Sequence, residues 1–404
     1  MASANNSTRL TGVALASLAL LATAGCRGSQ TIASLPHATV PAGTTAPASS
    51  GSFRILYWFS PYGVRRHGAV PRELVAYGNV LYGTTGSGGA HRAGTVFSID
   101  PSGMNQRIVH SFSGPDGSVP VSGLLLHDGT FYGTTAEGGT HGGGTVFSMT
   151  PAGRTRVLHS FRGGSDGATP ETTLVFLNGR FYGTTTYGGR SENGVVYEIT
   201  AAGDERVIHR FGSPDQDDAS GPTGALTTLH GVLYGTTQSS ANGVGVLYAV
   251  EPSGEYRNVH QFSGLDEGPA AGGAIVASGS LYGATQGVNA QGHSHNGVIY
   301  AFAPPETYRV IARVGQWPYG QPSRRLTYLD DALYGVSADG GAYHQGNVFR
   351  VGLDGARHIV CSFKYQPDGR VPSALLAYDG ALFGTMAWGG RMPDGHGTVF
   401  TVTP

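Results

Sequence analysis

The stretch FYGTTAEGGTHGGGTVFSMTPAG, residues 131–153, contains the features that decide the fold. It begins with an aromatic-glycine pair, continues through a glycine-rich loop into a GTVF segment, and ends in a Pro-Ala-Gly turn. Runs of β-branched and aromatic residues bounded by glycine and proline are typical of short strands joined by tight turns. The stretch therefore predicts two neighbouring antiparallel strands and the turns that flank them.

The same pattern recurs along the chain at intervals of roughly fifty residues, the period of repeat architectures. The aromatic-glycine pair occurs seven times, at Tyr82-Gly83, Tyr132-Gly133, Tyr182-Gly183, Tyr234-Gly235, Tyr282-Gly283, Tyr334-Gly335 and Phe383-Gly384. A GTVF-like segment follows each pair and ends at Phe97, Phe147, Tyr197, Tyr248, Tyr300, Phe349 and Phe400. The chain thus contains seven copies of one structural unit.

Each copy contains four strand-like runs, which we name A to D. In the second copy they cover residues 123–127, 131–135, 144–150 and 154–161, with an Asp-Gly hairpin turn between A and B. Four antiparallel strands per repeat of this length are typical of a propeller blade. The sequence therefore predicts an all-β fold, a seven-bladed β-propeller with four antiparallel strands per blade.

The two ends of the repeat region predict how the ring closes. The segment GTVFTVTP at the C-terminus matches strand C without a following strand D, and FRILYWF at residues 53–59 matches strand D alone. Pairing the two would complete the last blade and remove its free edge. We expect the N-terminal strand to complete blade 7 and residues 53–404 to form the propeller.

The N-terminal region reads as an export signal followed by a tether. Residues 1–25 combine a basic start with a short apolar run, and Thr23-Ala24-Gly25-Cys26 resembles a bacterial lipoprotein box, in which Cys26 receives the lipid. An ordinary secretory signal and an uncleaved anchor are the alternatives. Residues 26–52 are rich in Ser, Thr, Ala and Pro and predict a flexible linker. These features predict an extracytoplasmic protein, held at a membrane only through an N-terminal lipid or secreted.

The composition argues against nucleic acid as a partner and against a fold held by disulfide bonds. The formal net charge is −1 and charged residues make up 13% of the chain, so we expect no nucleic-acid binding. The two cysteines, Cys26 and Cys361, do not provide a disulfide framework. Cys361 stands where other copies have a strand-D histidine and reads as a buried, small apolar residue. We expect a monomer.

The repeat resembles the bacterial GloVer tandem repeat, whose members are described as having a choice of anchor. The motif YGTT-x-x-GG-x(4)-GTVF-x-x-x-P-x-G carries this resemblance and is clearest in copies one to three. The resemblance implies an extracytoplasmic location and no established reaction. The kelch repeat is a looser, architectural analogy.

Two recurrent polar sets are predicted to share the face formed by the D–A and B–C loops. The D–A loops contain Asp116, Asp166, Asp215, Asp266 and Asp368, and the B–C loops contain His91, His141, His293, His295, His344 and His396. We interpret the aspartates as turn residues, since Asp before Gly accepts backbone hydrogen bonds. The strand-D histidines His110, His159, His209 and His260 read as packing or hydrogen-bonded residues. Zinc needs three or four ligands close together, and we expect neither a metal nor a cofactor.

Function is better sought where the repeats differ, in the loops of blades 6, 7 and 1. These loops predict an aromatic and basic ligand-binding patch made of Tyr62, Arg65, Arg66, Trp317, Tyr319, Tyr343, Tyr365, Arg370, Trp388 and Arg391. Such a patch suits a glycan or a protein ligand, whereas drifted loops would bury these aromatic residues against one another.

Three functions remain open at the level of sequence. The first is a surface-anchored binding or interaction scaffold for a glycan or protein. The second is a propeller glycan hydrolase or lyase that uses Asp and His of the loop face, and the third is a purely structural envelope protein. The sequence leaves enzymatic activity open, favours a non-enzymatic role, and identifies no catalytic residue.

Overall fold

The computed structural model forms seven small antiparallel sheets arranged in a ring, a seven-bladed β-propeller, as the sequence predicts. The residues described are 52–60, 68–189, 191–212, 219–239, 244–263, 267–287, 297–305, 307–315, 318–322, 325–391 and 395–404. Cys26, the predicted segment 1–25 and the predicted linker 26–52 lie outside them, except for Ser52, which is the first residue of a strand. Within these ranges the only helical element is a 3-10 turn, Gly164–Asp166, between blades 2 and 3.

Each blade is a sheet whose strands follow one another from A, nearest the axis, to D at the rim. Blade 1 contains β2 (Ala69–Tyr77), β3 (Val80–Ser87), β4 (Thr95–Ile99) and β5 (Arg107–Ser111). Blade 2 contains β6 (Leu125–His127), β7 (Thr130–Thr135), β8 (Thr145–Met149) and β9 (Thr155–Ser160). Blade 3 contains β10 (Val175–Leu177), β11 (Arg180–Thr185), β12 (Val195–Ile199) and β13 (Glu205–Arg210). Blade 4 contains β14 (Ser220–Pro222), β15 (Thr227–Leu229), β16 (Val232–Ser239), β17 (Val246–Val250) and β18 (Tyr256–Gln261).

The remaining blades follow the same plan. Blade 5 contains β19 (Ile275–Ala277), β20 (Ser280–Ala284), β21 (Gly297–Ala303) and β22 (Thr307–Val314). Blade 6 contains β23 (Thr327–Leu329), β24 (Ala332–Ser337), β25 (Asn347–Gly352) and β26 (Arg357–Ser362). Blade 7 contains β27 (Arg370–Pro372), β28 (Leu376–Tyr378), β29 (Ala381–Trp388) and β30 (Thr398–Thr403), and β1 (Ser52–Trp58) is its outer strand. In blades 4 and 7 two short strands occupy position A, and both pair with strand B.

The hydrophobic core consists of seven clusters, each formed between two neighbouring blades. One cluster, for example, joins Tyr82 and Phe112 of blade 1 to Phe131 and Phe147 of blade 2. Another joins Leu56 of blade 7 to residues of blade 1, so the ring has no open interface. A single blade could not bury both of its faces, and the closed ring is therefore the unit that folds.

The repeated glycine of the aromatic-glycine pair is explained by an aromatic ring that covers it. Gly133 faces Phe147 on strand C, and a Cβ built on Gly133 would lie 2.7 Å from Phe147 Cζ. The same pairing places an aromatic residue opposite the glycine in every blade. Glycine is required here because the ring occupies the space that a side chain would need.

The threonine that follows this glycine links one blade to the next. The hydroxyl of Thr84 donates to the carbonyl oxygen of Ser122 at 2.8 Å, and Thr385 donates to that of Arg72 at 2.9 Å. The second bond joins blade 7 to blade 1. Buried polar groups need such partners, which explains why threonine is repeated in strand B.

The N-terminal strand closes the ring as predicted. β1 pairs antiparallel with β30 from Ser52–Thr403 to Trp58–Thr398, with one irregularity near Tyr57. The predicted strand bounds differ from the observed ones by one or two residues at most ends, where the chain turns away from its neighbour.

Candidate functional site

The D–A and B–C loops lie on one face of the ring, which we call the loop face. Ser118 of a D–A loop and Glu137 of a B–C loop exchange backbone hydrogen bonds of 2.8 and 3.0 Å. Ala168 and Tyr187 form the equivalent pair one blade further on. Residues from the two kinds of loop are therefore held side by side.

The acidic residues of the D–A loops hold the turn in place, as interpreted from the sequence. Asp116 accepts hydrogen bonds from the Ser113 amide and hydroxyl, each 2.8 Å, and lies 2.8 Å from His110 Nε2. Burial raises the pKa of Asp116, but these hydrogen bonds outweigh it and hold the pKa below its ordinary value. The carboxylate is thus occupied by the fold itself.

Three other described D–A loops repeat the backbone hydrogen bond to the acid, one of them with glutamate in place of aspartate. Asp166 accepts from the Arg162 amide at 2.8 Å, and Asp368 from the Lys364 amide at 2.8 Å. In the loop entering blade 5 the role belongs to Glu267, which accepts from the Ser263 amide at 2.8 Å. Asp215 and Asp266, named from the sequence, lie outside the described residues.

The strand-D residues behave as packed or hydrogen-bonded groups. His159 and His260 pair with the acid of the following loop, and His209 is buried and stacks on Tyr256 with ring centroids 4.3 Å apart. Cys361 is buried, and burial raises the pKa of its thiol to about 12. A thiol in this state is a poor nucleophile.

The B–C loop histidines do not assemble into a common site within the described ranges. His91, His141 and His344 are exposed, and His396 is half-buried. None of them belongs to a group of three metal-ligating side chains in that part of the chain. His293 and His295 lie outside it.

The irregular loops of blades 6 and 7 and the strand ends beside them carry a set of aromatic and basic residues, which we call the aromatic–cationic strip: Tyr343, Lys364, Tyr365, Arg370, Trp388, Trp58 and Arg391. Lys364 Nζ lies 5.0 Å from the centroid of the Tyr343 ring, and Arg370 Cζ lies 5.3 Å from that of Tyr365. Both distances are within the range of cation–π attraction. Lys364, the one lysine of the sequence, is adjacent to Tyr365 and joins the two pairs.

The strip continues to the rim of blade 7 through two tryptophans. Trp388, 41% exposed, ends strand B and pairs across the sheet with Arg370. Trp58, at the end of the ring-closing strand, is 37% exposed and donates its indole N–H to the Pro367 carbonyl oxygen at 3.2 Å. Arg391 is exposed in the loop after Trp388. Trp58 was not among the residues predicted for the patch, although its position at the loop-face end of strand D could have indicated this role.

The strip presents exposed positive charges, whereas the neighbouring carboxylate of Asp368 is buried. Lys364, Arg370 and Arg391 are exposed, whereas Asp368 in the same loop is buried and accepts a backbone hydrogen bond. Burial raises the pKa of Asp368. The exposed charges of the strip are therefore cationic.

The remaining residues of the predicted patch do not extend the strip. Tyr319 is half-buried against the core between blades 5 and 6, its hydroxyl donates to the Arg357 carbonyl oxygen at 3.0 Å, and the Arg357 guanidinium lies over its ring. Tyr319 thus follows the alternative interpretation, in which a loop aromatic packs inward. Tyr62, Arg65, Arg66 and Trp317 lie outside the described residues.

A second candidate site lies on the axis of the ring and was missed in the sequence. Strands A of six blades line a cavity of about 340 Å³ with mostly apolar residues. Glu73 and Arg325 face each other there, with Oε2 and a guanidinium nitrogen 3.8 Å apart, and the Thr173 hydroxyl lies 3.4 Å from the same oxygen. The residue before the strand-A leucine or alanine is small in the other blades, so these two charges are departures from the repeat that could have identified the pair.

The axial cavity lacks the arrangement that glycoside hydrolysis usually requires. That reaction uses two carboxylic groups facing each other across the bond that is cleaved, and Glu73 is the one carboxylate among the described residues lining this cavity. Residues 163–167 read GGSDG and fit the G-x-S-x-G pattern, but they form a loop between blades rather than a strand-to-helix elbow.

The repeat and the fold agree with a known family. The sequence profile of the Gloeobacter/Verrucomicrobia repeat matches residues 42–241 and 230–404. The chain belongs to this repeat family. The match confirms the resemblance to the GloVer tandem repeat and covers all seven blades. No curated protein matches the chain. In the described ranges no helix has the length and apolar character needed to cross a membrane.

Proposed function

We propose that this member of the repeat family is an extracytoplasmic, surface-anchored scaffold that binds acidic glycans through the aromatic–cationic strip. The observation that carries the proposal is the pairing of exposed cations with aromatic rings on the loop face, Lys364 with the exposed Tyr343 and Arg370 with the half-buried Tyr365, next to the exposed Trp388. The residues concerned lie in loops in which the repeat pattern is broken, or at the strand ends beside these loops.

The chemistry of the strip matches that of an acidic polysaccharide. Aromatic side chains offer flat apolar faces against which a sugar ring can pack, while their edges stay in water. Lys364 and Arg370 provide donors for carboxylate or sulfate groups, and arginine binds such groups in a bidentate manner. Rings spaced by cations suit a chain of sugars that carries an acid at regular intervals.

Binding without turnover is favoured over catalysis by the state of the acidic groups. The described D–A loop acids accept hydrogen bonds from their own loops. A general acid or base must instead be free to reach the substrate. Open rows of cations and aromatics are suited to adhesion.

The proposed location is supported by the sequence. The apolar run at residues 10–24 precedes Cys26, and attachment of lipid at this thiol would hold the propeller at a membrane. In a bacterial host, Cys26→Ser should move the protein from the membrane fraction to the soluble fraction. An unchanged distribution would contradict lipidation at Cys26.

The binding proposal is tested with polygalacturonate, a polymer of uronic acid, in affinity electrophoresis, with dextran as the uncharged comparison. We expect polygalacturonate to retard the wild-type protein, Trp388→Ala to weaken binding at least tenfold, and the effect to decrease with salt. Tyr187→Ala is the matched control, since Tyr187 occupies the same repeat position in blade 3 and is 42% exposed. Equal retardation of both variants and the wild type would refute the proposal.

The single lysine allows a second, independent measurement. Acylation of Lys364 by a water-soluble reagent should be slowed by polygalacturonate and not by dextran, with labelling read by peptide mass spectrometry. Release of shortened oligosaccharides from the polymer would favour the hydrolase or lyase alternative. Absence of retardation and of protection would remove acidic glycans as the ligand.

A further inference from the structure

One group of side chains at the rim, between blades 2 and 3, has no part in the strip. It contains His159 of strand D in blade 2, Asp166 of the following loop, and Glu205 of strand D in blade 3. One ligand atom from each residue lies within 4.8 Å of the other two. Within the described ranges this is the one such group of three.

The distances inside the group are those of ligands around one small ion. His159 Nε2 lies 3.1 and 3.2 Å from the two carboxylate oxygens of Asp166. Two ligands at about 2.0–2.2 Å from a tetrahedral zinc ion are separated by roughly 3.3 Å. The side chains of His159 and Asp166 are 20% and 19% exposed, so the group is reached from solvent without being fully hydrated.

The carboxyl groups of Asp166 and Glu205 lie close together, and they repel each other when both are charged and no cation lies between them. Glu205 Oε1 is buried and has no hydrogen-bond partner in the described part of the chain. The close grouping of the three side chains and the buried oxygen without a partner are two separate geometric observations.

The other interfaces show that the third ligand is a departure from the repeat. His110 pairs with Asp116 and His260 with Glu267 in the same way, at 2.8 and 3.2 Å. The position of Glu205 is occupied by Thr155 in blade 2, next to the first pair, and by Tyr308 in blade 5, which stacks on His260. The repeated His–acid pair thus gains a third ligating group at one described interface.

We propose that His159, Asp166 and Glu205 bind one divalent transition-metal ion, of the zinc class, that fastens blade 2 to blade 3. An imidazole nitrogen with two carboxylate oxygens suits zinc better than calcium, which prefers six or more oxygens. The ion would take one nitrogen and one oxygen from each carboxylate, and water would complete its shell. The positive charge of the ion would balance the charges of the two carboxylates.

The site is tested by isothermal titration of the full chain with ZnCl₂, CaCl₂ and MgCl₂. We expect one Zn²⁺ per chain in the wild type and at least tenfold weaker binding in Glu205→Thr, which copies the residue of blade 2. Calcium and magnesium should bind at least tenfold more weakly than zinc. Unchanged zinc affinity in Glu205→Thr, or preference for calcium, would overturn the proposal.

A gain-of-site variant separates metal binding from loss of folding. Thr155→Glu places the missing carboxylate beside His110 and Asp116, so it should bind two Zn²⁺ per chain. In EDTA, Glu205→Thr should unfold at a temperature no lower than the wild type, because it removes one of the two neighbouring carboxyl groups. A second variant, His159→Gln, should also lose the zinc-dependent rise in unfolding temperature, and retention of that rise would contradict the assignment of His159.

Discussion

Replacing Gly133 by alanine tests the idea that an aromatic ring covering glycine holds each blade together. The added Cβ would lie 2.7 Å from Phe147 Cζ and 2.9 Å from Leu124 Cδ2. Carbon atoms in contact are about 3.5–4.0 Å apart, so the ring must retreat by about 1 Å. Phe147 is fully buried between blades 1 and 2 and has little room to move.

The cost follows from overpacking, partly offset by the entropy that alanine removes from the unfolded chain. Overpacking of a dense core costs about 1–3 kcal/mol, and the entropic gain returns about 0.5–1 kcal/mol. We therefore expect Gly133→Ala to lower the free energy of unfolding by about 1–2 kcal/mol. Guanidinium titration followed by circular dichroism measures this as a lower midpoint with an unchanged slope.

A matched glycine and a double-mutant cycle define the result that would refute the reasoning. Gly86 also lies in a strand B, but a Cβ there meets Arg72 at 3.5 Å, an ordinary contact. Gly86→Ala should leave the midpoint at or slightly above that of the wild type, because the entropic gain is not offset by a clash. Phe147→Leu should relieve the clash, so the double variant Gly133→Ala/Phe147→Leu should be more stable than additivity predicts. Strict additivity, or equal midpoints for the two glycine variants, would show that the ring does not exclude a side chain.

Three further predictions concern the ring closure, a loop acid and the buried thiol. Leu56 lies in the core between blades 7 and 1. Leu56→Asp should destabilise the propeller by several kcal/mol because it buries an unpaired charge. Cleavage of the variant by thermolysin at the same rate as the wild type would contradict this. Asp116→Asn tests the carboxylate whose pKa Ser113 and His110 hold below its ordinary value against burial. That carboxylate stabilises the fold above about pH 4 and loses this effect as the pH falls through the folded-state pKa, so the stability gap between wild type and variant should narrow as the pH falls below about 4. In a variant without the other cysteine, Cys361 should react with a disulfide reagent only on the timescale of unfolding, and rapid reaction of the native protein would disprove its burial.

The fold could be predicted because its determinants are local and are repeated. Gly133 and Phe147 are fourteen positions apart in the sequence, and their counterparts recur in every blade, so one copy is read with the help of six others. The ends of the strands were harder to predict from the sequence, since strand A is only three residues long in blade 2 and is split in blade 7. Those differences come from how the loops enter each blade, which the repeat pattern does not specify.

The candidate sites were harder to predict because they join residues from different repeats. Trp388 and Tyr343 stand out in the sequence as departures from their repeat positions. The inward packing of Tyr319 depends on contacts with Arg357, a strand away, and cannot be inferred from a single loop. Glu73 and Arg325 meet only because the ring brings blades 1 and 6 to a common axis.

The pairing of β1 with β30 determines the order in which this protein can be completed. During synthesis β1 emerges first, yet its partner β30 is the last strand of the propeller to be made. The indole N–H of Trp58 can form its hydrogen bond only after Pro367, 309 residues further along the chain, has been made. Until then the growing protein is an open arc with unpaired strand edges, which are sites of aggregation. Because β1 and β30 are neighbours in blade 7, the chain ends could lie at another point of the ring without a change in strand pairing. A circular permutant that joins Thr403 to Ser52 through a short linker and opens at a C–D turn of another blade should fold to the same ring.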